Sequence, residues 1–279
     1  MRQIGIFAKT FAGSEPQAVL AQVARSGFPA AHFNMACSGL PAMPDAIAPD
    51  VAADVAAAAK AVGVEIVGLS GTWNMIHPDP KVRAAGLRRL EVLAAACGPM
   101  GAPLITLCTG TRDPDDQWRA HPDNTAQDAW RDLLASMEQA AAIAERHGVD
   151  LGIEPELANV VDSAPKARRL LDEMKSPRLK IVLDPANLFE VATEAKRRDV
   201  VELAIGLLGC DIAMAHAKDR DASGAFVAAG RGVIDFAHFL RQLRGSGFTG
   251  PIVAHGLSAE EAPGVAACLR RTVGEAGWA

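Results

Sequence analysis

Eight short apolar runs, each followed by a stretch of helical periodicity, recur along the whole of this 279-residue chain. The runs fall at 3–8, 30–35, 64–70, 103–108, 150–154, 179–184, 211–216 and 251–255. Helical patterns follow at 14–26, 49–62, 80–98, 125–147, 163–175, 194–208, 235–245 and 258–274. Strict alternation of this kind calls for a parallel sheet covered by helices. Eight units suit closure better than an open sheet, and a barrel of roughly 250 residues uses nearly the entire chain. The expected architecture is therefore α/β, a single (β/α)8 TIM barrel spanning 1–279. Ser14 and Ser163 stand where helix N-caps are expected. Gly63, Gly148 and Gly209 stand where left-handed C-caps are expected.

Bulk properties remove several function classes. Hydrophobic residues make up 49% of the chain, enough for a large core. The net charge is −5 and no basic run exceeds two residues, which argues against nucleic-acid binding. The five cysteines include no CxxC pair, so a thiolate zinc site is not expected. Their odd number and wide spacing suit reduced thiols in the cytoplasm. No apolar segment approaches the length of a membrane span, and the first ten residues show no apolar leader region. Alanine-rich helix faces leave room for a homo-oligomer.

Four of the strand-like runs in the second half end in a residue able to bind a metal. They read LGIEPE, KIVLDPAN, AMAHAKD and PIVAHGL, and the residues are Glu154, Asp184, His216 and His255. In a (β/α)8 barrel, strand C-termini share one rim, and the chemistry sits there. Two carboxylates and two imidazoles on that rim suggest a single divalent cation, and suit Mn, Zn or Fe better than Mg. Asp184 follows Ile181-Val182-Leu183, and a carboxylate so deep must be paired or metal-bound. A lone histidine such as His216 is more often a core residue; the company of Glu154 and Asp184 turns the reading toward a ligand. Glu156 lies one alternation further out, facing solvent or orienting a partner.

Other polar residues at the same end are candidates for substrate contacts. Lys9 ends the first strand, and Trp73 ends the third, where an indole can stack on a sugar or pack against a loop. His77 and Arg112 lie in loops above the strands. Asn187 can bind a sugar hydroxyl or serve as a turn residue. Lys218 can steer an anionic group or pair with Asp219, and Arg231 sits between two glycines. The polar segment 109–124 follows the fourth strand, and a loop of that length over the mouth is often functional. Phosphate-binding glycine loops and the serine-hydrolase elbow are absent from the sequence.

The motifs GIEPE, VLDPANLF, HAKD and GFTGPIVAHGL, with LCTGTRDP and HPDN in the fourth loop, resemble the sugar isomerase/epimerase family built on a xylose-isomerase-like TIM barrel. The resemblance covers nearly the whole chain. It implies that Glu154, Asp184 and His216 are metal ligands and that the substrate is a small carbohydrate. The family usually places a second glutamate at the end of the last strand, acting with the strand-five glutamate as an acid–base pair. Here that position holds His255, which can ligate a metal and move protons near neutral pH. Where an endonuclease branch of the family carries additional zinc histidines, this chain has Asn187, Cys108 and Thr109. The expected activity is a metal-dependent isomerase or epimerase acting next to a carbonyl of a sugar, keto-sugar or polyol derivative, with Glu154 and His255 as the catalytic pair. A lyase or dehydratase, or a non-catalytic sugar-binding barrel, is the alternative.

Overall fold

A computed structural model describes residues 4–278; position 3, where the first strand was expected to begin, lies outside them. Eight parallel strands close into a barrel: β1 (Ile4–Phe7), β2 (Ala30–Phe33), β3 (Glu65–Ser70), β4 (Leu104–Cys108), β5 (Asp150–Glu154), β6 (Leu179–Leu183), β7 (Ile212–Arg220) and β9 (Ile252–Ala254). Closure is made by β9 pairing with both β7 and β1, and by β6 pairing with β7. Helices α1 (Pro16–Arg25), α2 (Pro49–Val62), α3 (Pro80–Met100), α4 (Gln127–His147), α5 (Ala164–Met174), α6 (Glu194–Leu208), α7 (Phe236–Gly245) and α8 (Ala262–Glu275) form the outer ring. Among the described residues, no helix is long and apolar enough to cross a membrane.

The seventh strand departs from expectation. It runs on to Arg220 and folds back on a three-residue strand, β8 (Phe226–Ala228), as an antiparallel hairpin above the barrel. Asp219 fixes the base of this hairpin. Its buried carboxylate accepts the backbone N–H groups of Arg220, Gly230, Gly232 and Ile234 at 2.8–3.1 Å. At Gly232 a Cβ would fall 2.0 Å from the Arg220 carbonyl oxygen, so only glycine fits there.

Helix punctuation follows the sequence in part. Gly63 and Gly148 adopt left-handed C-caps. Gly209 instead stays right-handed and enters a 3-10 turn. A Cβ there would meet the Ser246 side chain at 2.6 Å, so close packing accounts for the glycine. Helix α1 is capped by Glu15 rather than Ser14, and Ser163 caps α5 without a side-chain bond.

Two layers of side chains fill the barrel, and their spacing positions the site. The lower layer is an apolar plug that includes Ala30, Leu104, Val182, Met214 and Val253. Strand side chains on one face recur every second residue. Two positions beyond each plug residue come His32, Thr106, Asp184, His216 and His255. Gly152 completes the pattern below Glu154; a Cβ on it would strike Val182 at 2.7 Å. The larger core lies outside the strands, between sheet and helices.

Candidate metal centre and active site

Glu154, Asp184 and His216 converge above the plug. One donor atom of each lies within 4.8 Å of the others, which forms the one such group found among the described residues. His216 Nδ1 is 3.1 Å from Glu154 Oε1 and 3.9 Å from Asp184 Oδ2. Asp184 and His216 are almost fully buried, and Asp184 also accepts the Ala186 N–H through Oδ1 at 2.9 Å. Its Oδ2 is buried without a hydrogen-bond partner. An unsatisfied carboxylate oxygen is costly in that setting, and a cation shared with Glu154 and His216 would satisfy it. Two carboxylates and an imidazole thus fit a divalent ion of the Mn, Fe, Co or Zn kind.

Supporting bonds hold the triad. Asn187, in the 3-10 turn after β6, donates from Nδ2 to Glu154 Oε1 at 2.9 Å and accepts from Lys218 Nζ at 3.2 Å. Lys218 Nζ also lies 3.9 Å from Asp184 Oδ2. The ammonium is stacked 3.5 Å over the Phe226 ring, where a cation is attracted to the π face. Lys218 therefore pairs with Asp184, not with Asp219, because adjacent strand residues point to opposite faces.

Charges here answer one another. Burial pushes the Glu154 carboxyl up, but His216, Lys218 and His255 together bring it down to about 2. Burial raises Asp184 to about 6; Lys218 and His216 oppose that rise, and the charge on Glu154 adds to it. Burial disfavours a charged His216, yet Glu154 and Asp184 outweigh it and lift its pKa. Glu156 is pushed up to about 7 by burial and by the neighbouring Glu154 charge.

Across the mouth the rings are neutral. His255 stacks on His216 at 5.2 Å and 21°, and on Phe7 at 4.9 Å and 19°. Its backbone N–H is bonded to the Ala217 carbonyl, and its Nδ1 is buried without a partner. Burial, then the charge on His216, lowers its pKa to about 3. His32 Nε2 shares a hydrogen bond with Thr106 Oγ1 at 3.0 Å, and burial likewise brings its pKa to about 3. His255 lies outside the three-residue group whose donor atoms converge.

A cavity of about 320 Å³ opens over this floor, at the small end of the ~300–1,000 Å³ common for ligand pockets. Of the residues expected to bind substrate, Lys9, Asn187 and Lys218 line it, beside Glu154, His216 and His255. The structure places the other four elsewhere. Trp73 is buried against α3, in a notch where a Cβ on Gly86 would lie 2.1 Å from the indole. His77 caps its own turn and bonds the Pro114 carbonyl. Arg112 bonds the Ile76 carbonyl and pairs with Asp132 at 2.8 Å. Arg231 is exposed on the turn beyond β8.

Glu156, His32 and Trp118 also line the cavity, as do Thr106 and Gln117, two residues that the sequence did not single out. For Thr106 the available signal was the period-two offset from the plug residues. Cys108 also faces the cavity, where burial holds its thiol well above the normal range and disfavours the thiolate.

Comparisons with known proteins agree with this architecture. No curated protein sequence matches the chain. Among solved structures, 3-keto-D-glucoside 4-epimerase from E. coli superimposes with a TM-score of 0.75 at 16% identity, covering 97% of this chain and 100% of that one. L-ribulose 3-epimerase gives 0.76 at 18% identity, with 99% and 96% covered. The IOLI protein, whose structure has a bound zinc atom, gives 0.75 at 15% identity, with 100% of both chains covered. At these identities the likeness establishes the fold. The sequence profile of one family extends over residues 20–270, from α1 to α8. The chain belongs to the xylose isomerase-like TIM barrel family.

Proposed function

We propose that this protein is a divalent-metal-dependent isomerase or epimerase that moves a proton next to a carbonyl of a small sugar, keto-sugar or polyol derivative. One observation carries the reading: Glu154, Asp184 and His216 converge at the floor of an open cavity, with Asp184 Oδ2 buried and without a hydrogen-bond partner. The named activities of the epimerases that share the fold support it.

Glu154, Asp184 and His216 would hold the cation. Such an ion supplies Lewis acidity, which makes an adjacent proton more acidic and stabilises developing negative charge on oxygen. Asn187 donates to Glu154 Oε1, the oxygen that faces His216, so Oε2 would be the oxygen offered to the α proton. The low pKa of Glu154 keeps it ionised across the working range. Lys218 and Asn187 orient it and present donors to substrate oxygens.

On the other face, His255 is a neutral imidazole with one lone pair and one N–H. It can accept a proton or polarise an oxygen by hydrogen bonding, as neutral imidazoles do in proton-transfer enzymes. Imidazole in place of a second carboxylate makes the two faces chemically unlike. That asymmetry favours a second reading, a keto-sugar lyase or dehydratase, in which one group removes a proton and a different one assists the leaving hydroxyl.

The test has two stages. Metal analysis of protein purified without added metal should give about one divalent ion per chain, lost in the Glu154→Ala/Asp184→Ala variant. Keto-sugars incubated with the loaded enzyme in D₂O should then exchange their α protons, followed by NMR. Exchange without net elimination supports the isomerase or epimerase. Elimination product selects the lyase. A chain that binds no metal, and none on titration with Mn²⁺ or Zn²⁺, removes both and leaves a binding barrel.

A further inference from the structure

The chain has four tryptophans, and three of them, Trp73, Trp130 and Trp278, are at most 9% exposed. Trp118 is 52% exposed, yet it lines the same cavity as Glu154 and His216. The segment that carries it is firmly braced. Asp113 accepts the N–H groups of Asp115 and Asp116 at 2.9 Å and is held by the Arg119 guanidinium at 2.5 and 2.8 Å. Asp116 accepts the Trp118 N–H at 2.9 Å. Asn124 accepts from Thr111 and Arg112 and donates to the Ala158 carbonyl. His77 and Asn74 bond the Pro114 and Asp113 carbonyls.

These bonds are spent on backbone position, and the side chains they deliver to the cavity wall are left open. Among the described residues, neither the Gln117 amide nor the Trp118 indole N–H has a hydrogen-bond partner. Lys9, exposed at the rim on the turn after β1, likewise has no hydrogen bond or ion pair. Asp184 and His216 at the floor are buried, Lys9 and Trp118 at the rim are exposed and Gln117 is half-buried, so the cavity has an inner part with the titratable cluster and an outer part with an aromatic face and two donors.

We propose that Trp118, Gln117 and Lys9 form an outer subsite for a second ring joined to the sugar on the floor, so that the substrate is a two-ring glycoside. The indole offers a flat face for the C–H side of a pyranose, and the amide and ammonium reach its hydroxyls. This inference rests on the sugar reading given above and narrows its substrate class.

The test is calorimetric titration of the full-length, Mn²⁺-loaded protein with matched pairs: glucose against cellobiose and maltose, and galactose against lactose. Glucose 6-phosphate is included because Lys9 could instead serve a phosphate. The wild type should bind at least one disaccharide about tenfold more tightly than its monosaccharide, the scale of an aromatic contact. Trp118→Ala should bring that ratio to within about twofold and leave monosaccharide affinity unchanged, while Trp118→Phe keeps most of it. Circular dichroism of the variants checks the fold. Monosaccharide binding with no two-ring advantage, or an advantage that survives in Trp118→Ala, overturns the subsite alone. A gain confined to glucose 6-phosphate and lost in Lys9→Met also overturns it, in favour of a phosphate site. No binding by any sugar overturns the subsite and the sugar reading together.

Discussion

On the β5–β7 side of the mouth, contacts of 3.1–3.9 Å link Glu154 to His216, His216 to Asp184 and Asp184 to Lys218 in a chain of opposite charges. On the β9–β1–β2 side, the Phe7 ring stacks on His255 and packs at a tilt against His32, and burial holds both imidazoles near a pKa of 3. Both arcs occupy the same layer of the barrel. What separates them is the company each ring keeps. His216 has two carboxylates against it and is pulled toward the charged form; His32 and His255 lack such bonds and stay neutral. The same side chain thus stands in a charged cluster that could hold a cation on one arc and in a neutral wall of rings on the other.

The sharpest way to break this comparison is to remove the charged arc. Glu154→Ala/Asp184→Ala should abolish metal retention. The loss should exceed the roughly 10–100-fold typical of removing an outer partner, as read by metal analysis and Mn²⁺ titration. Retained metal would show that the triad has been misassigned.

His255→Gln comes next. If the neutral arc serves proton transfer, α-proton exchange should fall by about 10²–10⁴ while Mn²⁺ affinity stays within a few-fold. Unchanged exchange would remove His255 from the chemistry. A parallel collapse of metal binding would instead place it among the ligands.

Asn187→Ala should do less. It frees Glu154 Oε1 from one of its two bonds and leaves Lys218 with Asp184. A drop of about 10-fold in exchange or in metal affinity is expected; no change in either would mean that His216 alone orients Glu154.

How much of this could be read from the chain before the fold was known divides along the same physical line as the site itself. The strand ends were legible because a strand fixes its side-chain directions by a period of two. An apolar run that ends in Glu154, Asp184 or His216 therefore carries its own geometry. The loops were not. Trp73 went into a notch on α3, and Arg112 went to Asp132, twenty residues along the chain. Those choices depend on long-range packing that no local pattern records. Glu156 fell between the two cases. It continues the alternation of Glu154, but past Pro155; solvent contact or the orienting of a partner was expected, and it lines the cavity.

The smallest effect is thermal, and it has opposite signs on the two arcs. His32 binds fewer protons folded than unfolded between its folded value of about 3 and the usual imidazole value of about 6.5. Its contribution is complete above that window and is lost as pH falls through it. Glu156, raised to about 7, binds more protons folded than unfolded, so stability declines as pH rises from the ordinary carboxylate range to about 7. Melting curves from pH 4.5 to 7 should show His32→Asn gaining on the wild type toward low pH. Glu156→Gln should gain toward high pH. Shifts of the same sign in both would mean that the two arcs share one electrostatic environment.

The two-layer interior has a consequence for quality control. Asp184 and His216 stand two positions above plug residues on their own strands, and Glu154 stands two above Gly152. A slip of one residue in any of these strands would turn its candidate ligand out toward the helices and aim that residue's neighbour at the centre. A barrel assembled in the wrong register would then present no three-point cation site at all. Metal capture by freshly refolded chains should thus serve as a proofreading signal, distinguishing correctly closed barrels from compact impostors with the same helix content.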